Sequence, residues 1–111
     1  MDNYMQTVIA KAKEGAEKYL AEELDVLREI CNTACQSKDL EGNKKVISIL
    51  ERRVFPHLPI TLEYVDAPGV GTHVVARIKP ENPKGKIVMV AHLDTVSAAG
   101  SAAEHPFHID G

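Results

Sequence analysis

The chain opens on a long stretch with helical periodicity. Met5, Val8, Ile9, Ala12, Ala16, Tyr19 and Leu20 recur three and four residues apart, and Leu24, Leu27, Ile30, Cys31 and Ala34 continue the pattern. Residues 1–36 are therefore predicted to be helical, with Gly15 marking a bend. The polar residues 36–39 interrupt the periodicity. Asp39 suits the N-cap of a further helix, because its short carboxylate can accept an orphan backbone N–H. That helix, predicted over 39–55, carries Val46, Ile47, Leu50 and Val54 on one face and should end near Phe55, ahead of Pro56.

After Pro59 the period falls to two. Ile60, Leu62 and Tyr64 alternate with Thr61, Glu63 and Val65, and a turn is expected over residues 66–71. In the next strand Val74, Ala76 and Ile78 share one face, while His73, Val75, Arg77 and Lys79 share the other. Residues 80–85 form a second turn, rich in Pro, Gly and Asn. Residues 86–92 follow as a third strand. Its apolar core at 87–91, IVMVA, suggests a strand covered on both faces, as in a parallel or mixed sheet. Residues 97–104 read as a loop of small and polar residues, and residues 106–111 as a short strand running into a turn. The pattern thus divides the chain into helical 1–36, a helix at 39–55, and strands and loops over 60–111, an α/β arrangement within one small domain.

Composition narrows the function classes. The 111 residues carry 13 Lys and Arg against 16 Asp and Glu, a net charge of −3 with no basic stripe, which argues against a nucleic-acid partner. The N-terminus lacks the plan of a secretory signal, and the run at 87–91 is too short to span a bilayer. A cytoplasmic protein without a membrane partner is expected. Cys31 and Cys35 are expected to be free, largely buried thiols, since residues one helical turn apart suit a disulfide poorly.

Candidate chemistry concentrates at the end of the third strand. His92 and Asp94 stand two residues apart, so an extended chain projects them to one face. At the C-terminal end of a central strand that face would meet the crevice where α/β proteins bind ligands. A neutral imidazole is a common metal ligand, and a neighbouring carboxylate can fix its tautomer. The same pair also suits a plain polar strand end. His105, His108 and Asp110 could form a second cluster, but Pro106 gives their spacing no helical rationale, so exposed loop residues are expected. His57 reads as a surface turn residue and His73 as a strand-edge one. Gly69, Val70 and Gly71 follow a strand but precede another strand, so they make a turn and not a phosphate cradle. Ser37, Ser97 and Ser101 lack the setting of a nucleophilic serine.

The stretch VMVAHLDTV resembles the H-x-D-T-V signature of the M20 zinc metallopeptidases. GTHVVARI is similar to that family's G-x-N-V-V-A strand, with His73 where the family often has Asn, and the step from HLDTV to PFHIDG resembles the glutamate carboxypeptidase-like branch. The resemblance covers roughly residues 20–111. It implies the N-terminal part of a three-layer, mixed-sheet catalytic domain. It further implies that His92 is the first zinc ligand and Asp94 the catalytic acidic residue that orients it. The family hydrolyses peptide or N-acyl amino-acid bonds at a two-zinc centre, where a metal-bridging water attacks and a glutamate serves as general base.

The bridging aspartate, the paired glutamates, the further acidic ligand and the distant histidine of the family have no counterpart in these 111 residues. At most one partial zinc site is expected here, and no activity from this chain by itself. Two other readings remain: a non-catalytic remnant or interaction module, and a small mononuclear metal-binding protein using His92, His105 and His108. An incomplete sheet leaves an unpaired edge and an uncovered apolar face, so marginal stability or self-association is expected.

Overall fold

The computed structural model describes residues 2–33, 35–96 and 100–110. Ala34, Ser97 and Gly111, each part of a sequence expectation, lie outside the described residues. Helix α1 runs over Asn3–Cys31 without a break at Gly15. Asp2 caps it, its Oδ1 accepting the Met5 N–H at 2.7 Å. Helix α2 spans Leu40–Arg53 and starts as its sequence predicts, with the Asp39 carboxylate accepting the Gly42 N–H at 3.0 Å. It ends two residues ahead of Phe55, and a single 3-10 turn, Phe55–His57, leads away through Pro56.

Strands β1 (Thr61–Ala67) and β2 (Gly71–Arg77) form an antiparallel hairpin in which Tyr64 faces Val74. The turn between them is tighter than the six residues expected. Val70 N–H donates to the Ala67 carbonyl at 3.0 Å, and Gly69 takes a φ of +75° behind Pro68. That is the type II arrangement, in which the third position favours glycine. A short helix, α3 (Ser101–Glu104), occupies part of the expected loop.

The core sits where α2 meets its neighbours. Val46, Ile47 and Ile49 of α2 are buried, together with Cys35. Val46 and Ile47 were expected there; Ile49 joins them, while Leu50 and Val54 are half-buried. Asn43 ties α2 to the hairpin: its Oδ1 accepts the Thr72 N–H at 2.8 Å and its Nδ2 donates to the Thr72 carbonyl at 3.3 Å. Gly71 permits this approach. A Cβ there would lie 3.0 Å from Asn43 Cγ, and its φ of +139° is itself unfavourable for other residues. On the other side of α2, Arg53 grips α1 through Asp25 at 2.8 Å and Glu29 at 2.9 Å, and Arg52 also reaches Glu29. These arginines hold Asp25 and Glu29 below the usual carboxylate range, and the two carboxylates push Arg53 up.

The molecule is therefore a mixture of helices and one two-stranded antiparallel sheet, and it is open. Its radius of gyration is 16.9 Å, against about 13 Å for a compact chain of this length. Its accessible surface is 9299 Å², against about 6,000 Å² for a compact protein of this mass.

The largest correction concerns residues 86–92. They form no strand, and Ile87, Val88, Met89 and Val90 are each at least 81 % exposed. The reason is a missing neighbour. A strand depends on other strands for its backbone hydrogen bonds, and among the described residues none runs beside this segment. The strand expected over 106–111 is likewise absent from the described residues 106–110. Among the described residues, no helix is long and apolar enough to cross a membrane.

Candidate functional site at the His92–Asp94 loop

The segment after α1 positions the loop that carries His92 and Asp94. Thr95 N–H donates to the Cys35 carbonyl at 2.7 Å, and Gln36 pairs with Thr95 in an isolated parallel bridge. Ser37 Oγ donates to Asp94 Oδ2. Further along, Phe107 N–H donates to Asn32 Oδ1 at 2.7 Å, and its ring lies 5.1 Å from the Arg28 guanidinium. The stretch just beyond α1 is thus an anchoring post for two later parts of the chain. The Ser37 and Asn32 contacts were not anticipated; Asn32 falls within the stretch predicted as helix and Ser37 in the polar break after it, and neither pattern names a distant partner.

Alternation decides which side chains face inward. Leu93 and Thr95 line a cleft of about 220 Å³ together with Ile30, Cys35, Val46 and His105. His92 and Asp94 lie outside that lining, on the other side of the extended segment. The sequence pattern aimed them into a crevice. Here the His92 side chain is 83 % exposed and that of Asp94 45 %.

The two side chains do meet. His92 Nδ1 lies 2.7 Å from the Asp94 carbonyl and 3.2 Å from Asp94 Oδ1. A carbonyl can only accept, so Nδ1 carries the proton in this contact. In the neutral ring the lone pair then sits on Nε2, which has no partner among the described residues. Asp94 therefore fixes the imidazole tautomer through both its backbone and its side chain. The Ser37 hydroxyl is the main influence holding the Asp94 carboxyl below its usual range, with smaller help from its own backbone amide and His92.

The other candidates separate. His108 Nε2 lies 3.4 Å from Asp110 Oδ1 in an exposed pair, and His105 lines the cleft. His57 and His73 are exposed on the 3-10 turn and on β2. Cys31 is exposed, contrary to expectation, because it ends α1 at the surface. Cys35 is buried, and burial pushes its thiol up, with Asp39 and Asp94 adding to the effect; both thiols are free. Among the described residues, no three of His, Cys, Asp and Glu converge on a point that could hold a metal ion. The donor chemistry fits one zinc ligand and its orienting carboxylate, and does not fit a closed metal centre.

The chain matches no family model, no curated protein and no solved structure.

Proposed function

We propose that this chain is the N-terminal part of the catalytic domain of an M20-type zinc peptidase or amidohydrolase, of the glutamate carboxypeptidase-like kind. In this reading His92 supplies Nε2 as one zinc ligand and Asp94 orients the ring. The observation that carries the reading is the contact between His92 Nδ1–H and Asp94, which leaves Nε2 available in an H-x-D-T-V sequence. The apolar exposure at 87–90 also supports it, because such a segment suits an inner strand of a larger mixed sheet. The substrate class is a peptide or N-acyl amino acid with a free carboxylate, in a cytoplasmic setting.

When bound in such a centre, the zinc pair activates a water for attack on the amide carbonyl. This chain's own contribution is limited to holding one imidazole in one tautomer and orientation. The chain by itself is expected to hydrolyse nothing.

Zinc titration followed by 15N NMR of the imidazoles tests the reading. Weak binding should perturb His92 Nε2, disappear in His92→Ala, and weaken by roughly 10–100-fold in Asp94→Ala, the usual range for loss of an orienting partner. Zinc binding indifferent to His92, or centred on His105 and His108, would overturn it. A non-catalytic module is the second reading, favoured by the lack of a converging metal cluster among the described residues. Complete absence of a zinc effect on His92 would select it.

A further inference from the structure

The carboxylate of Asp94 is divided between two partners. Its Oδ1 lies 3.2 Å from His92 Nδ1, and its Oδ2 accepts a hydrogen bond from the Ser37 hydroxyl. A carboxylate held at one oxygen can still swing about its own bonds. Held at both, by donors from different parts of the chain, it has one orientation. Ser37 stands 57 residues before Asp94, so the loop that carries His92 does not orient its own carboxylate unaided.

Ser37 is itself held. Residues 36–39 make a tight turn in which the Asp39 N–H donates to the Gln36 carbonyl at 2.9 Å and Lys38 takes a φ of +67°. Lys38 thus occupies the third position of a type II turn, which favours glycine. Among the described residues it is the only one besides glycines with a positive φ. Such backbone persists only where its surroundings over-determine it. Here both ends of the turn are fastened. Gln36 is bridged to Thr95, one residue beyond Asp94, and Asp39 caps α2 through the Gly42 N–H. The corner between them is Ser37.

Exposure makes this support necessary. The His92 side chain is 83 % exposed and that of Asp94 45 %, so packing does little to hold either, and hydrogen bonds must set their geometry.

We infer that Ser37 is a positioning residue for His92: its hydroxyl fixes the Asp94 carboxylate, and the carboxylate fixes the imidazole in the tautomer that leaves Nε2 open. The purpose of this relay rests on the reading of His92 as a zinc ligand, while its geometry is independent of any metal.

The metal-free chain tests the relay. At about pH 8.5, where an unperturbed imidazole is neutral, 15N shifts report which ring nitrogen carries the proton, and three-bond couplings report whether the Asp94 side chain keeps one rotamer. Ser37→Ala should let Asp94 average between rotamers and should roughly double the fraction of His92 rings protonated on Nε2. Ser37→Thr, which keeps the hydroxyl, should behave as the wild type. Ser37→Asp, which sets a second carboxylate beside Asp94, should shift the ring at least as far as alanine does. Zinc added alone should bind Ser37→Ala about threefold more weakly than the wild type, a smaller loss than the roughly 10–100-fold expected of Asp94→Ala, because the Asp94 backbone carbonyl still holds the His92 Nδ1–H. An unchanged Asp94 rotamer and His92 tautomer in Ser37→Ala would overturn the inference. So would a threonine variant that fails to restore them, or a melting point that falls in step with the tautomer across the series, since the turn and not the hydroxyl would then be responsible. Zinc indifferent to His92 in every variant would strike the proposed function alone; the metal-free rotamer and tautomer still decide the relay.

Discussion

The inner face of helix α2 and the run at 87–90 are both apolar, and they finish at opposite extremes. Val46 is 1 % exposed and Val88 81 %. The difference lies in what each kind of element requires. A helix closes its own backbone hydrogen bonds and needs only one covered face, which α1, the hairpin and the segment around Cys35 supply to α2. An extended segment needs a neighbour on its edge as well as cover for its faces, and the run at 87–90 has neither among the described residues. Hydrophobicity alone therefore does not set burial; the backbone must be satisfied first.

The sharpest test removes apolar bulk from both regions. Ile47→Ala should cost about 2–5 kcal/mol in chemical denaturation, because the side chain leaves a cavity in a small core. Val88→Ala should change stability by less than about 0.5 kcal/mol. Equal effects would break the comparison and show that the run is buried in solution. Gly71→Ala should follow at about 1–3 kcal/mol, by straining a positive-φ position and pushing against Asn43, and the loss should appear as weaker docking of the hairpin on α2.

Acid should act next, again on the ordered region alone. Asp25 and Glu29 titrate lower in the fold than in the unfolded chain, so their contribution is fully present above about pH 5 and is lost as pH falls through their depressed folded values. Thermal melts from pH 7 to pH 2.5 should show that loss, and Arg53→Ala should flatten it; a profile unchanged by the substitution would remove the α1–α2 clasp from the account. The smallest effect belongs to Ser37→Ala. It should leave the melting point nearly unchanged while speeding amide exchange at Thr95, whose N–H bonds Cys35 beside the lost Ser37–Asp94 contact.

What the sequence made legible follows the same division. The helices, the Asp39 cap and the hairpin rest on local signals: a 3.6-residue period, a capping carboxylate, a Pro-Gly turn. The shared face of His92 and Asp94 also follows from local alternation, and their contact is as expected. The strand at 86–92 was not legible, because its formation depends on partners distant in the chain. The outward aim of His92 has the same cause, since a crevice exists only where neighbouring strands and loops build one. Asn43 and Ser37 were missed because a polar residue in a turn or on a helix gives no sign of which distant backbone it will meet.

The anchoring post beyond α1 has a consequence for how the chain breaks. Thr95 and Phe107 are fastened there, and the hairpin is fastened to α2 through Asn43, so the bare stretch at 78–91 is slung between two fixed ends. A protease should therefore cut first within 78–91, where the backbone can be drawn out into an enzyme cleft without unfolding anything else. The two pieces should stay together after the cut, held by the Cys35–Thr95 and Asn32–Phe107 bonds, and should run apart only in denaturant.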